Sequence, residues 1–345
     1  MQSPVTVKSM KAAQMTAIGS PLEFADVEVP IPGPGEVLVK MDVCGLCHTD
    51  LHYWKGDHPL PRNLPVTLGH EGIGTVVGAG DGVTRVHAGD TVGLGFVYGT
   101  CGFCRECLTG YETHCESIQS TGVHIDGCLA EYAVLREDWT TPIPKELNIA
   151  DAAPLLCAGV AAYSAVRKAC LEPGELAVVF GAGGLGTYAL QIAKSYGARV
   201  CVVDVAEEKL ALARELGADH AIDARDEPVA QISELGGADA AFNFAPVAAS
   251  WRQMVDSARA RARLVLISLP NDQLCFEAGE IIDRGLRIMG SADGTRQELR
   301  QLMQLARTGQ VRSVVETVPF SDVNSAFDRL NNAQVKGRLV IDMRS

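Results

Sequence analysis

Leu176-Ala177-Val178-Val179-Phe180-Gly181-Ala182-Gly183-Gly184-Leu185-Gly186 is the stretch that decides the fold. Its opening apolar run reads as a strand buried on both faces, and the periodicity of Leu185–Tyr196 reads as a helix. Between them stands a G-x-G-x-x-G loop. Glycines of this kind let the backbone approach a pyrophosphate, which then rests on amide groups at the helix N-terminus. Such a loop alone is weak evidence. Here it is flanked by strand and helix, and Asp204 ends the next strand at the distance expected for a ribose contact. A carboxylate there accepts hydrogen bonds from the adenosine ribose and repels a 2′-phosphate, so NAD is the expected cofactor, held by Gly181, Gly183, Gly184, Gly186 and Asp204.

Working outward, Arg199–Val203, Ala240–Phe244 and Arg263–Leu269 read as further buried strands, alternating with helical patterns over Glu207–Leu216 and Trp251–Ala260. That alternation is the signature of a doubly wound parallel sheet. Before Ala150 the texture differs: Gly and Pro separate short apolar runs such as Glu36–Met41, Gly74–Val77 and Thr91–Phe96, which reads as an irregular β domain. After Ser291 come a helical stretch, a polar helix ending near Ala333 and a last strand, Gly337–Met343. The pattern does not assign this tail to either domain.

The eleven cysteines carry the next signal. Cys101, Cys104, Cys107 and Cys115 form a C-x2-C-x2-C-x7-C lobe, and four thiolates on one short loop can close a tetrahedral site with no open position, as structural zinc requires. An iron–sulfur cluster also uses four thiolates. A second constellation, Cys44-Gly45-Leu46-Cys47-His48-Thr49-Asp50-Leu51-His52, is followed by Gly69-His70-Glu71. Thiolate, imidazole and carboxylate are the groups a catalytic zinc collects, three as ligands with one position left open. The C-x2-C pair is also compatible with redox chemistry, although it does not open a helix of a thioredoxin-like unit.

Composition narrows the classes. With 47% apolar and 21% charged residues in 345, the chain falls in the range of folded proteins of about two domains. A net charge of -12 without a basic cluster argues against a nucleic-acid partner, because phosphate binding relies on Lys and Arg. Met1–Met15 has no continuous apolar segment of the secretory kind, so a cytoplasmic location is expected, where cysteines serve metals more often than disulfides. The Ala-rich Ala152–Val166 stretch contains Pro154 and Gly159 and falls short of the ~20 apolar residues a bilayer needs, so no membrane span is expected.

Together the three constellations resemble the zinc-dependent alcohol dehydrogenases of the medium-chain dehydrogenase/reductase family, over about Met10 to the end of the chain. The resemblance implies an α/β protein with a GroES-like, mostly-β catalytic domain over 1–157, a Rossmann domain over 158–291, and a C-terminal return over 292–345 that completes the first domain. It implies two zincs per chain. Cys47 and His70 are the implied ligands of the catalytic zinc, with Glu71 beside it, and Cys157, in Pro154-Leu155-Leu156-Cys157-Ala158-Gly159, is the third ligand by resemblance alone. The same likeness implies that Asp50 orients the histidine, that Thr49 and His52 relay the alcohol proton, that His48 and Arg338 contact the cofactor pyrophosphate, and that Lys209 reaches the ribose. Trp54 and Phe96 are implied to line the substrate pocket. The remaining Cys44, Cys128, Cys170, Cys201 and Cys275 are read as core residues.

The implied activity is reversible oxidation of a primary alcohol to an aldehyde with hydride transfer to NAD, in a homotetramer or dimer. Larger or secondary alcohols, and a non-catalytic zinc and NAD-binding protein, are the competing readings. Three departures bear on the substrate: Ala258–Arg263 lacks a customary glycine turn, Asp293 brings a charge where an apolar residue is common, and Cys128 replaces a glycine.

Overall fold

The computed structural model describes residues 8–269 and 273–345. The chain divides into two compact units, one of Met1–Cys157, Thr295–Arg307 and Ser313–Ser345, the other of Ala158–Gly294 and Thr308–Arg312.

The first unit is built on Glu36–Gly45, a long strand with only one exposed residue, Lys40. It pairs antiparallel with Glu71–Ala79 on one side and, at its far end, with the C-terminal strand Arg338–Asp342, which itself pairs parallel with Val315–Pro319. Thr91–Leu94 and Thr141–Pro142 extend the sheet beyond Glu71–Ala79, and Tyr132–Arg136 pairs with the first half of the long strand. A smaller sheet joins Ser9–Met15, Glu23–Glu28 and Val66–Thr67. Met41, Leu46, Leu68, Leu129 and Phe327 are among the side chains that fill the core of this unit. Val97–Gly99 and Gln119–Ser120 form a separate two-stranded ribbon, and the four-cysteine lobe is the loop between them.

The second unit holds a six-stranded parallel sheet in the order His220–Asp223, Arg199–Asp204, Leu176–Phe180, Ala238–Asn243, Ala258–Leu266, Arg287–Gly290. Leu176–Phe180 lies in its middle and is buried at every residue, which explains its uninterrupted apolar run. Chain order runs one way from this strand to Arg199–Asp204 and the other way to Ala238–Asn243, so the glycine loop that follows it opens at the point where strand order reverses.

Element boundaries depart from the sequence reading by a few residues at several strands, and the chief departure is over residues 248–266. The helix read over Trp251–Ala260 spans Ala248–Ser257, and the strand read from Arg263 begins at Ala258 and ends at Leu266. The Ala-Arg alternation of residues 258–263 has the two-residue period of a strand, and pairing with Ala238–Asn243 lets that pattern prevail over a last helical turn. Arg261 takes φ 67, the left-handed region where glycine is favoured, so the backbone bends there without one. Cys170 and Cys275 are exposed, against their reading as core residues: Cys170 sits at φ 48 in the turn after the helix Ala158–Lys168, and Cys275 in the irregular segment before the helix Ala278–Arg284. Cys44, Cys128 and Cys201 are buried. Among the described residues no single helix is long and apolar enough to cross a membrane, and Ala158–Val166 is buried residue by residue.

Candidate metal and cofactor sites

Cys47 caps the helix His48–Lys55, which opens on His48 and ends at Gly56 in the left-handed conformation. The third helical residue, Asp50, reaches back, and its Oδ2 accepts the Cys47 N–H at 3.0 Å, a capping box that fixes the start of the helix. Its other oxygen accepts the Gly69 N–H at 3.0 Å and faces His70 Nδ1 at 2.9 Å. One buried carboxylate therefore ties the Cys47 backbone to the His70 ring. With Nδ1–H donated to Asp50, Nε2 carries the lone pair, and it is buried without a hydrogen-bond partner.

An unpaired nitrogen in that position is costly unless a metal uses it. Cys47 Sγ lies 3.9 Å from Cys157 Sγ, and ligand atoms of Cys47, His70, Glu71 and Cys157 all fall within 4.8 Å of one another. Two thiolates about 2.3 Å from one tetrahedral ion stand about 3.8 Å apart. The donor set fits zinc, and the observed spacing matches it. Cys157 arrives on a 3-10 turn, Ala153–Leu156, whose Leu156 packs where a side chain on Gly93 would otherwise stand. Hydrogen bonding from Cys157 outweighs burial and holds the Cys47 thiol well below its ordinary value, with His70 acting in the same direction. Burial pulls the His70 imidazole down, but Asp50 overrides it and leaves the metal-free ring well above its usual range, so a metal binding at Nε2 would displace a proton there.

Glu71 is fully buried and pairs through both oxygens with Arg338, whose Nη2 also donates to the Leu46 carbonyl at 2.8 Å. Burial pushes the Glu71 carboxyl up to about 7 against the pull of Arg338. Arg338, expected at the pyrophosphate, thus has its closest described contacts with Glu71 and Leu46. Thr49 Oγ1 is 3.7 Å from Cys47 Sγ. His52 is 40% exposed and pairs with Asp57 at 2.8 Å, so it is open to solvent, whereas Asp50 and Leu51 of the same helix are buried. The Phe96 ring meets the His70 ring edge to face at 5.2 Å. Trp54 instead donates its indole N–H to Ser20 and packs toward Phe327, contacts that belong to the core.

In the lobe, Cys101 Sγ is 3.9 Å from Cys107 Sγ and 3.6 Å from Cys115 Sγ, with all four sulfurs within 4.8 Å. These separations fit four thiolates on a single tetrahedral ion; a multi-iron cluster spreads them over several irons. Backbone N–H groups of Phe103 and Cys104 bring the Cys101 thiol down to about 7, which favours the thiolate a metal needs.

At the dinucleotide loop, Asp204 Oδ2 accepts the Ala182 N–H at 2.8 Å and Oδ1 accepts the Ala206 N–H at 3.0 Å, so the carboxylate is locked beside the glycines. A side chain on Gly186 would collide with the Gly181 carbonyl, whereas one on Gly183 would meet nothing within 4 Å. The loop is closed beneath and open above, and no side chain caps the helix Gly184–Ser195. Its first N–H groups are therefore available to an anion, which fits a pyrophosphate. Lys209 is half-buried in the helix Glu207–Glu215, next in the chain after the Asp204 strand, and His48 is exposed.

Residues 33–145 match the alcohol dehydrogenase GroES-like domain, and residues 184–308 the zinc-binding dehydrogenase domain. The chain is 40% identical to an alcohol dehydrogenase of Geobacillus stearothermophilus over 334 residues, 96% of this chain and 99% of that relative. The chain belongs to the zinc-dependent medium-chain alcohol dehydrogenases. It is accordingly an NAD-dependent alcohol dehydrogenase with zinc and NAD as cofactors. Two solved structures agree with the fold: the alcohol dehydrogenase of the archaeon Aeropyrum pernix (36% identity, TM-score 0.89, 96% of this chain and 99% of that one) and an NAD-dependent alcohol dehydrogenase (31%, TM-score 0.90, 97% and 100%).

Sequence reasoning missed three groups of contacts. The Glu71–Arg338 pair joins residues 267 apart, and the bonds from Asp50 to the backbone of Cys47 and Gly69 surround the histidine it was expected to orient. The third is in the lobe, where Glu112, nearly buried, binds Arg296 at 3.0 Å, while Arg296 stacks 4.5 Å over Trp139. Only the capping spacing of Asp50 relative to Cys47 was a readable signal.

Proposed function

We propose that this chain oxidises a primary alcohol to an aldehyde, reversibly, at the Cys47–His70–Cys157 centre. The observation that carries the reading is His70: Nδ1 engaged by Asp50, Nε2 buried and bare, and two thiols in reach of the same point. When bound there, zinc supplies a Lewis acid for the alcohol oxygen, and NAD supplies the hydride acceptor.

The protein's own groups do the rest. Oxidation releases a hydride and a proton; Thr49 Oγ1, beside Cys47, takes the proton as it hands on its own toward His52, whose exposed ring passes it to solvent. Phe96 keeps water off the His70 edge and narrows the pocket toward short substrates. Asp204 and Lys209 hold the adenosine ribose, Gly181, Gly183, Gly184 and Gly186 the pyrophosphate, and His48 contacts it, while Arg338, bonded to Glu71 and Leu46, braces the segment that leads into Cys47. The four lobe cysteines hold a second, structural zinc. We further propose a homotetramer working in the cytoplasm.

Elemental analysis combined with NAD reduction across primary, secondary and aromatic alcohols tests this reading. Two zincs per chain and turnover favouring short primary alcohols are expected. One zinc per chain, or preference for bulky secondary alcohols, overturns the corresponding part.

A further inference from the structure

The four-cysteine lobe is not an isolated ornament on the first unit. It spans the gap between Val97–Gly99 and Gln119–Ser120, which among the described residues pair as strands only with each other, Val97 opposite Ser120 and Gly99 opposite Gln119. A ribbon this short has little stability of its own; one strand is anchored by the Tyr98 hydroxyl on Glu36, and closing the loop holds the other strand to it. Four thiolates on one ion close it.

The other end of the ribbon points at the catalytic ligands. Phe96 directly precedes one strand and Thr121 directly follows the other, and the Thr121 N–H donates to the Phe96 carbonyl at 2.8 Å. Phe96 rests its ring on His70. Gly122 turns at φ 75 so close to Gly69 that a Cβ there would lie 3.1 Å from the Gly69 nitrogen. The next residues continue the contact, with Gly127 N–H on the Thr67 carbonyl, Cys128 N–H on Gly69 and Leu129 N–H on Leu68. The segment carrying His70 is thereby gripped by the two chain ends that leave the ribbon. Thr121 contributes through its main chain only, since its hydroxyl is buried without a hydrogen-bond partner.

We infer that metal in the cysteine lobe positions His70, through the ribbon and Phe96, and so sets how tightly the Cys47–His70–Cys157 centre holds its own metal. Phe96 is on this view a positioning residue for a ligand as well as a pocket wall. The inference rests on the proposed reading of Cys47, His70 and Cys157 as a metal centre.

The test uses full-length protein carrying cobalt at that centre and zinc in the lobe, following the cobalt–thiolate absorption and its rate of loss to a chelator. Phe96→Leu keeps every ligand and should speed cobalt loss about two- to tenfold, the range for a well-packed aromatic pair. Thr121→Val preserves the main-chain link and should leave the rate as in wild type. Cys107→Ala with Cys115→Ala empties the lobe; it should shift the cobalt bands and speed loss to a similar degree, and adding Phe96→Leu should bring no further acceleration. Should the lobe variant fail to fold by circular dichroism, stripping zinc from the lobe of the folded wild-type protein with a thiol-reactive mercurial at substoichiometric dose takes its place, and a wild-type rate in Phe96→Leu still overturns the coupling. A wild-type rate in Phe96→Leu, or accelerations that multiply in the combined variant, overturns the coupling. Absence of any cobalt–thiolate band attributable to Cys47 and Cys157 overturns the metal-centre reading itself.

Discussion

Asp50→Asn is the substitution that bears hardest on the proposed catalytic centre, because it changes charge and almost nothing else. The carboxylate accepts three hydrogen bonds, from Cys47 N–H on Oδ2 and from Gly69 N–H and His70 Nδ1–H on Oδ1. An amide of the same shape has one acceptor oxygen. Facing Gly69 and His70, that oxygen leaves the NH2 group opposed to the Cys47 N–H; turned round, it loses two bonds to keep one. The better orientation forfeits one bond to a charged acceptor, about 1.5–3 kcal/mol, at a site that is 2% exposed and cannot recruit water. The neutral amide also polarises the imidazole less, weakening Nε2 as a donor to metal. Loss of an outer partner of this kind weakens metal binding by roughly 10–100-fold. Competition with a colorimetric chelator measures it, with the lobe metal followed alongside. Faster loss of one metal per chain, by more than the about two- to tenfold that reciprocal coupling passes on to the lobe metal, is the expected result. Equal retention of both metals in variant and wild type would refute the role given to Asp50, and with it the orientation of His70.

Three further outcomes follow from the same geometry. Gly186→Ala forces a methyl group against the Gly181 carbonyl, so affinity for the reduced cofactor, read by the fluorescence of NADH, should fall by about tenfold or more; wild-type affinity would mean the loop does not carry the cofactor. Arg338→Met strands the buried Glu71 carboxylate and should lower urea stability by about 3–5 kcal/mol, most of it recovered by adding Glu71→Gln; no recovery would show that the loss lies outside the ion pair. Iodoacetamide on the metal-loaded protein should label the exposed Cys170 and Cys275 and spare Cys44, Cys128 and Cys201, whose thiols burial holds up, that of Cys201 to about 12; mass-spectrometric adducts on any of these three would contradict their placement.

Legibility in the sequence followed the distance between partners. Leu176–Phe180, the glycine loop and the Asp204 carboxylate lie within one strand–helix–strand unit, where spacing and apolar period carry the information, and the doubly wound sheet could be read from them. The cysteine lobe was equally plain, its four ligands being held in one loop. Cys157 joins Cys47 across 110 residues, and no local pattern announces that meeting; resemblance alone pointed to it. Trp54 is a different case, since an aromatic on a ligand helix reads alike whether it lines a pocket or packs on the core, and its bond to Ser20 and contact with Phe327 are visible only in the fold. The Cys128 departure was legible as a difference but not in its consequence: the thiol occupies space that Gly72 leaves free, where a Cβ would come within 2.6 Å of its sulfur.

The long-range contacts share one property that local pattern cannot express. Arg338–Asp342 lies beside Cys44 and Gly45, Leu46 N–H donates to the Leu339 carbonyl, and Arg338 reaches Glu71, so the last strand braces the segment that leads into Cys47. Gly45 has no side chain where the Glu71 carboxylate lies, which makes room for that brace. On the opposite flank, the Thr121–Leu129 segment holds the backbone of Thr67–Gly69, next to His70. Cys47 is thus held from the C-terminus and His70 from the lobe, with Asp50 bonded to both. A ligand pair set to within tenths of an ångström needs such support, because a short helix and a loop cannot supply it alone. The residues around the metal centre were readable from its chemistry; the elements that hold them in place are distributed over the first unit, and only the assembled backbone reveals them.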